Sequence, residues 1–142
     1  MTRFMMTLDQ AVDLVLFAFE NANQGDIFVQ KAPSATIHDL AVTLKDIFNS
    51  KSEIIVIGTR HGEKLYETLL SREEASKAVE YENYYKIPAD NRDLNYSKYF
   101  EIGDARISSA SEYTSHNTYR LKPQELCDVL LKLDFVRNEI NL

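Results

Sequence analysis

Apolar residues recur at helical spacing in three stretches of the chain. Thr7 is suited to cap a first helix, and apolar side chains from Leu8 to Phe19 occupy most sides of it, which predicts deep burial. A second helix is predicted after Thr36 and a last helix from Pro123, each with a single apolar stripe. A further, shorter helix is predicted after Ser71, in addition to these three.

Short runs of β-branched and aromatic residues between the helices predict strands. They lie at the extended start of the chain (residues 1–7), at residues 26–30, at residues 53–57 and near residues 84–87. The run at residues 54–57 is apolar without alternation, which is typical of a strand that is buried on both faces. Residues 33–35 predict a turn and residues 65–70 a helical turn. The alternation of helices and strands indicates an α/β fold with short strands and three or four helices.

Residues 78–120 form a long segment that is predicted to be rich in loops. Its tyrosines crowd a polar stretch, and they are Tyr81, Tyr84, Tyr85, Tyr96 and Tyr99. Such a segment could stack nucleic-acid bases, but base stacking needs a basic groove and this stretch has mixed charge. Contact with a neighbouring subunit of a homo-oligomer is the favoured alternative.

Composition excludes several classes of protein. The 142 residues suffice for one domain or part of one, and a net charge of −6 argues against binding to nucleic acid. No apolar run approaches the ~20 residues of a membrane span. The N-terminus has no secretory signal, and a single cysteine, Cys127, forbids an internal disulfide. A cytoplasmic protein without a membrane partner is therefore expected.

A cluster of charge follows the predicted strand at residues 53–57. Ligands of open α/β sheets lie beyond the carboxyl ends of strands, where Arg60 falls. Its planar guanidinium suits a phosphate, and Glu63 is placed to accept hydrogen bonds from ribose hydroxyls. Gly62 would let the backbone approach a ligand closely. The alternative is a solvated loop whose charges pair locally.

Catalytic, cofactor and metal motifs are not found in the sequence. His61 and Glu63 are not followed by a second histidine at helical spacing, so no metal site is expected. The four glycines do not form the Gly-x-Gly-x-x-Gly dinucleotide motif, and no tyrosine has a lysine four residues later. No catalytic, cofactor-binding or metal-binding residue is therefore assigned.

The motifs MTRFMMTLDQAV at residues 1–12 and RHGEKLYE at residues 60–67 carry a family resemblance. Together with NTYRL at residues 117–121 and LLKLDF at residues 130–135, they resemble the C-terminal part of bacterial polysaccharide-biosynthesis nucleotide-sugar enzymes. These are extended short-chain dehydrogenases: the capsular CapD and CapE type, the inverting UDP-N-acetylglucosamine 4,6-dehydratases, and relatives described as UDP-glucose 4-epimerases. The resemblance implies that residues 1–142 are the small C-terminal UDP-sugar-binding domain of such an enzyme, without its N-terminal Rossmann domain.

The resemblance also implies roles for three residues. Arg60 would contact the UDP diphosphate, Glu63 the ribose hydroxyls, and Arg3 would lie near the nucleotide. The complete enzyme would use NAD or NADP as an isomerase or a lyase in capsule or O-antigen lipopolysaccharide synthesis. This chain, separated from the Rossmann domain, is expected to be inactive. The alternative is a stand-alone interaction or oligomerisation domain that does not bind a nucleotide.

Overall fold

The computed structural model describes residues 1–90 and 105–140, and these residues confirm an α/β fold with short strands. The helices in the described ranges are α1 (Leu8–Asn21), α2 (Ile37–Ile47), α3 (Arg72–Lys77), α4 (Ala105–Ser109), α5 (Pro123–Leu131) and α6 (Asp134–Ile140). The strands are β1 (Thr2–Phe4), β2 (Ile27–Gln30), β3 (Ser34–Thr36), β4 (Thr68–Leu70), β5 (Val79–Glu80), β6 (Tyr84–Ile87) and β7 (Tyr113–Thr114). The short helices α4 and α6 come in addition to the four that were predicted.

The chain divides into two compact units. The first comprises Met1–Leu8, Ala32–Glu67 and the chain from Ser115 onward. In it β1 pairs antiparallel with β3, and α2 packs against α5. Its core joins the apolar stripes of α2 and α5. The buried members are Ala35, Leu121, Leu126 and Leu130, and the partly buried side chains packed against them are Met5, Leu40, Leu44, Ile47, Val129 and Leu133.

The second unit comprises Asp9–Lys31 and Thr68–Thr114, described here without residues 91–104. An antiparallel sheet has the strand order β2-β6-β5, and β4 pairs with β7. Phe17 of α1 contacts this sheet through aromatic rings, with centroids 5.6 Å from Phe28 and 4.4 Å from Tyr84. The predicted roles of Tyr96 and Tyr99 lie outside the described residues.

Helix starts follow the local signals in the sequence. Thr36 Oγ1 accepts a hydrogen bond from the backbone N–H of Asp39 at 2.9 Å, as expected of a helix cap. Ser71 and Glu74 form the reciprocal capping box of α3. Pro123 occupies the first turn of α5, where its missing N–H costs no hydrogen bond.

Three predictions on the strands and turns are wrong. Residues 53–57 do not form a strand: no pairing partner meets them within the described chain, and Val56 is 85% exposed. Residues 33–35 were predicted as a turn, but residues 34–36 pair with β1; residues 65–70 were predicted as a helical turn, but residues 68–70 pair with β7. Pairing between distant segments decided these cases, because strand propensity depends on the neighbours that a strand meets.

The deep burial predicted for α1 is also wrong. The helix has two apolar stripes, and the one that contains Phe17 packs against the rings of Phe28 and Tyr84. The other stripe is exposed along the whole helix, with Phe19 exposed by 83%, and it consists of Leu8, Val12, Val15, Leu16 and Phe19. A helix that is apolar on all sides is stable when every side is packed against other elements, and the described residues pack closely against one side of α1.

Asp26 holds together three parts of the second unit. Its carboxylate accepts hydrogen bonds from the backbone N–H of Asn23 at 2.9 Å and of Ala89 at 3.3 Å. Lys86 Nζ lies 3.5 Å from the same carboxylate, across the β2–β6 pair. The bond from Asn23, with weaker help from Ala89 and Lys86 and against desolvation, holds the pKa of Asp26 below its usual value.

We predict that Asp26→Asn destabilises the protein at pH 7 and that the difference from wild type shrinks in acid. A carboxylate with a lowered folded pKa stabilises the fold above its unfolded pKa, about 3.9. That contribution is lost as the pH falls through the folded pKa. Urea denaturation of both proteins at pH 7 and near pH 3 measures it, with Asp13→Asn on exposed α1 as the control. An equal difference at both pH values would contradict the assignment.

Candidate functional site

The charged loop at residues 58–64 is closed by a tight turn. The carbonyl of Arg60 accepts a hydrogen bond from the N–H of Glu63 at 3.1 Å. Between them Gly62 has φ +76°, the left-handed value that the third residue of a type II turn requires. An added Cβ would meet nothing within 4 Å of Gly62, so the requirement is conformational and not steric.

Glu63 and Arg60, the two residues predicted to grip a nucleotide, share this turn. Glu63 Oε2 accepts a hydrogen bond from the backbone N–H of Arg60 at 2.9 Å, which closes the loop a second time. The Arg60 side chain is exposed, and among the described residues its guanidinium has no ion-pair partner. The Glu63 carboxylate is therefore engaged by the loop backbone, whereas the Arg60 guanidinium is available to bind an anion.

Arg3, the third predicted residue, lies at the base of the loop. It stands in β1 opposite Ala35, and its guanidinium donates to the carbonyl of Lys64 at 3.0 Å and to that of Thr2 at 2.7 Å. Its Nε lies 3.4 Å from Glu67 Oε1. All three guanidinium nitrogens thus contact this chain, and two of these contacts hold the segment that leaves the loop.

A hydroxyl network beneath this segment was not predicted from the sequence. Ser115 is fully buried, and its Oγ accepts a hydrogen bond from the N–H of Glu67 at 2.9 Å. Thr2 Oγ1 lies 2.8 Å from Ser115 Oγ and 2.7 Å from His116 Nδ1. Residues 114–116 (Thr-Ser-His) are polar in the sequence, but no local pattern distinguishes a buried hydroxyl network from an exposed polar loop.

The loop and α2 enclose a groove of about 510 Å³ within the first unit. This volume falls in the range of roughly 300–1,000 Å³ that is typical of small-molecule sites. The structure brings Arg60 and Glu63 into the groove, but Arg3 is not part of its lining. The lining residues are Met1, Ile37, His38, Ala41, Ile54, Ile55, Val56, Ile57, Gly58, Thr59, Arg60, Glu63 and Leu65.

Neither a metal nor a dinucleotide fits the described residues. In residues 1–90 and 105–140, no three His, Cys, Asp or Glu side chains lie together as metal ligands would. Gly25 lies between α1 and β2, and Gly58 and Gly62 lie between α2 and β4, whereas a dinucleotide fold needs clustered glycines at one strand–helix turn. No helix of the described chain is long and apolar enough to cross a membrane.

Family models match nearly the whole chain. A model described as polysaccharide biosynthesis protein matches residues 1–89, and one described as polysaccharide biosynthesis protein C-terminal matches residues 90–137. The chain belongs to the polysaccharide biosynthesis protein family. The resemblance carried by the sequence motifs is thereby confirmed.

Relatives of this polysaccharide biosynthesis protein are named UDP-glucose 4-epimerase. The chain is 59% identical to the one of Rickettsia rickettsii, 58% to that of Rickettsia bellii and 55% to that of Rickettsia prowazekii, in each case over 99% of the chain. It spans only 41% of the length of these relatives. The crystal structure of Pen from Bacillus thuringiensis is also similar, with a TM-score of 0.73 and 28% identity, over 93% of this chain and 38% of that one.

We predict that Ser115→Ala lowers the free energy of unfolding by about 1–3 kcal/mol, because it removes the acceptor of the Glu67 N–H and one of the two hydrogen-bond partners of the Thr2 hydroxyl. Urea denaturation measures the loss. Ser111→Ala, at an exposed position, should change stability by less than about 0.5 kcal/mol. Equal effects of the two substitutions would show that the network does not stabilise the base of the loop.

Proposed function

We propose that the chain is the UDP-sugar-binding portion of a polysaccharide-biosynthesis enzyme and that the groove at Arg60 receives the nucleotide. The observation that carries the proposal is an exposed guanidinium, unpaired among the described residues, on a doubly closed turn at the edge of a groove of ligand size. A rigid support lowers the entropic cost of ordering the arginine on binding. The printed names of the Rickettsia relatives support UDP as the nucleotide.

Arg60 and Glu63 divide the nucleotide between them in this proposal. The fork of Arg60 binds the diphosphate through parallel, charge-assisted hydrogen bonds. A carboxylate offers about four acceptor sites, so Glu63 can hold the N–H of Arg60 and still accept from ribose hydroxyls. Arg3 contributes by holding the carbonyl of Lys64, and its positive charge adds to the local field near the diphosphate.

Two reactions are compatible with this nucleotide grip. The relatives' printed name, UDP-glucose 4-epimerase, favours 4-epimerisation over the 4,6-dehydration of UDP-N-acetylglucosamine. The substrate proposed for the epimerase is UDP-glucose, with UDP-N-acetylglucosamine as the alternative. The product would enter capsular polysaccharide or O-antigen lipopolysaccharide. The NAD or NADP of such an enzyme has no fitting site among the described residues, so no catalytic step is assigned to this chain.

We predict that UDP binds to the isolated chain and that Arg60→Ala weakens binding by roughly 10- to 150-fold, since one charged hydrogen bond contributes about 1.5–3 kcal/mol. Amide NMR during a UDP titration locates the site, with the largest shifts expected at residues 58–64. Arg72→Ala, at an exposed position of α3, is the matched control. Unchanged amides of residues 58–64 at millimolar UDP would contradict the proposal.

The exposed stripe of α1 favours a second function, that of a docking surface. Leu8, Val12, Val15, Leu16 and Phe19 form one contiguous apolar face, which a soluble protein rarely leaves uncovered. We propose that its occupant is an N-terminal, Rossmann-type part equivalent to the length that the relatives have beyond this chain. A second copy of this chain, which would give a homo-oligomer, is the other outcome.

Coexpression with the part of the Rickettsia rickettsii relative that precedes the matched region tests this docking. We predict a one-to-one complex by light scattering, which Leu16→Glu prevents and Glu20→Gln, on the same helix, does not.

UDP-glucose should be epimerised by the complex and not by the chain alone. Self-association abolished by Leu16→Glu would instead assign the stripe to a homo-oligomer, and turnover by the chain alone would refute its expected inactivity.

A further inference from the structure

The chain has three histidines, and one of them, His38, lines the groove although it lies outside the RHGEKLYE motif. His61 lies between Arg60 and Glu63 in sequence, yet it is not part of the groove lining. His38, from the first turn of α2, lines the groove together with Arg60 and Glu63. Sequence proximity and spatial proximity to the proposed nucleotide site therefore point to different histidines.

The cap of α2 determines where His38 lies. Thr36 Oγ1 bonds the N–H of Asp39 and also lies 2.5 Å from Asp39 Oδ2, so the first turn is held in place. The carboxylate of Asp39 is thereby engaged by the cap, one residue from His38. The charged groups that share the groove with His38 are Arg60 and Glu63 of the loop.

We infer that His38 is a further ligand-binding residue, whose imidazole donates a hydrogen bond to the anionic group that Arg60 binds. The inference rests on the proposed function and deepens it, because it selects a nucleoside diphosphate over an uncharged nucleoside. The walls at Ile37 and at residues 54–57 are apolar and suit the flat base, while two hydrogen-bond donors, Arg60 and His38, suit the diphosphate.

Calorimetric titration with UDP-glucose tests the inference, because its diphosphate is the anionic group that His38 is proposed to contact. His38→Ala should lose about fivefold in affinity, as expected for one exposed hydrogen bond to a charged group. His61→Ala is the matched control and should retain the wild-type affinity. Uridine should bind equally to all three proteins, because it has no phosphate.

His38→Gln separates a lost hydrogen-bond donor from lost structure. It keeps an N–H donor at the same position, so it should retain most of the wild-type affinity. Binding that Arg60→Ala weakens but His38→Ala leaves unchanged would overturn this inference alone. An equal loss in His61→Ala and His38→Ala would overturn it as well. Failure of the wild-type chain to bind UDP-glucose would overturn both this inference and the proposed nucleotide site.

Discussion

The contact on which the candidate site depends is the buried meeting of Thr2 and Ser115. Their hydroxyls lie 2.8 Å apart, and Ser115 also accepts the N–H of Glu67, so three distant segments share one polar centre. Unsatisfied hydroxyls and amides in the interior carry a large desolvation penalty, so each partner requires the others. The chain continues from the charged loop into residues 65–67, so the hydrogen bonds of this polar centre anchor the C-terminal end of the loop.

The loop combines a local closure with a distant anchor. Gly62 and the carboxylate of Glu63 close the turn within four residues, so its shape depends little on the rest of the chain. Its direction depends on Arg3, which holds the carbonyl of Lys64 from the neighbouring strand β1. The doubly closed turn holds the backbone of Arg60, so only its side chain remains to be ordered when an anion binds, which is a partial preorganisation.

What the sequence predicted correctly rests on short-range physics. Thr36, Ser71 and Pro123 mark helix starts through bonds within one turn, and each of these helices forms. Arg60 and Glu63 are also local, so their presence on one turn was predictable. The pairing of β3 with β1 and of β4 with β7 joins residues far apart in sequence, and no local pattern encodes it. The positions of Ser115 beneath the loop and of His38 in the groove lining were not predicted for the same reason.

The two wrong predictions of burial have a common physical cause. The apolar run at residues 54–57 and the outer stripe of α1 both have the composition of buried elements, yet both are exposed in a chain that spans 41% of its relatives' length. The composition of a segment indicates whether it is stable in a buried environment. The structure shows how much of that burial the described residues of this chain provide. Residues 54–57 also form the apolar wall of the groove, so a bound nucleotide base would cover part of what the fold leaves open. A ligand bound at residues 54–57 and a partner docked on α1 would then each bury apolar surface that this chain leaves exposed.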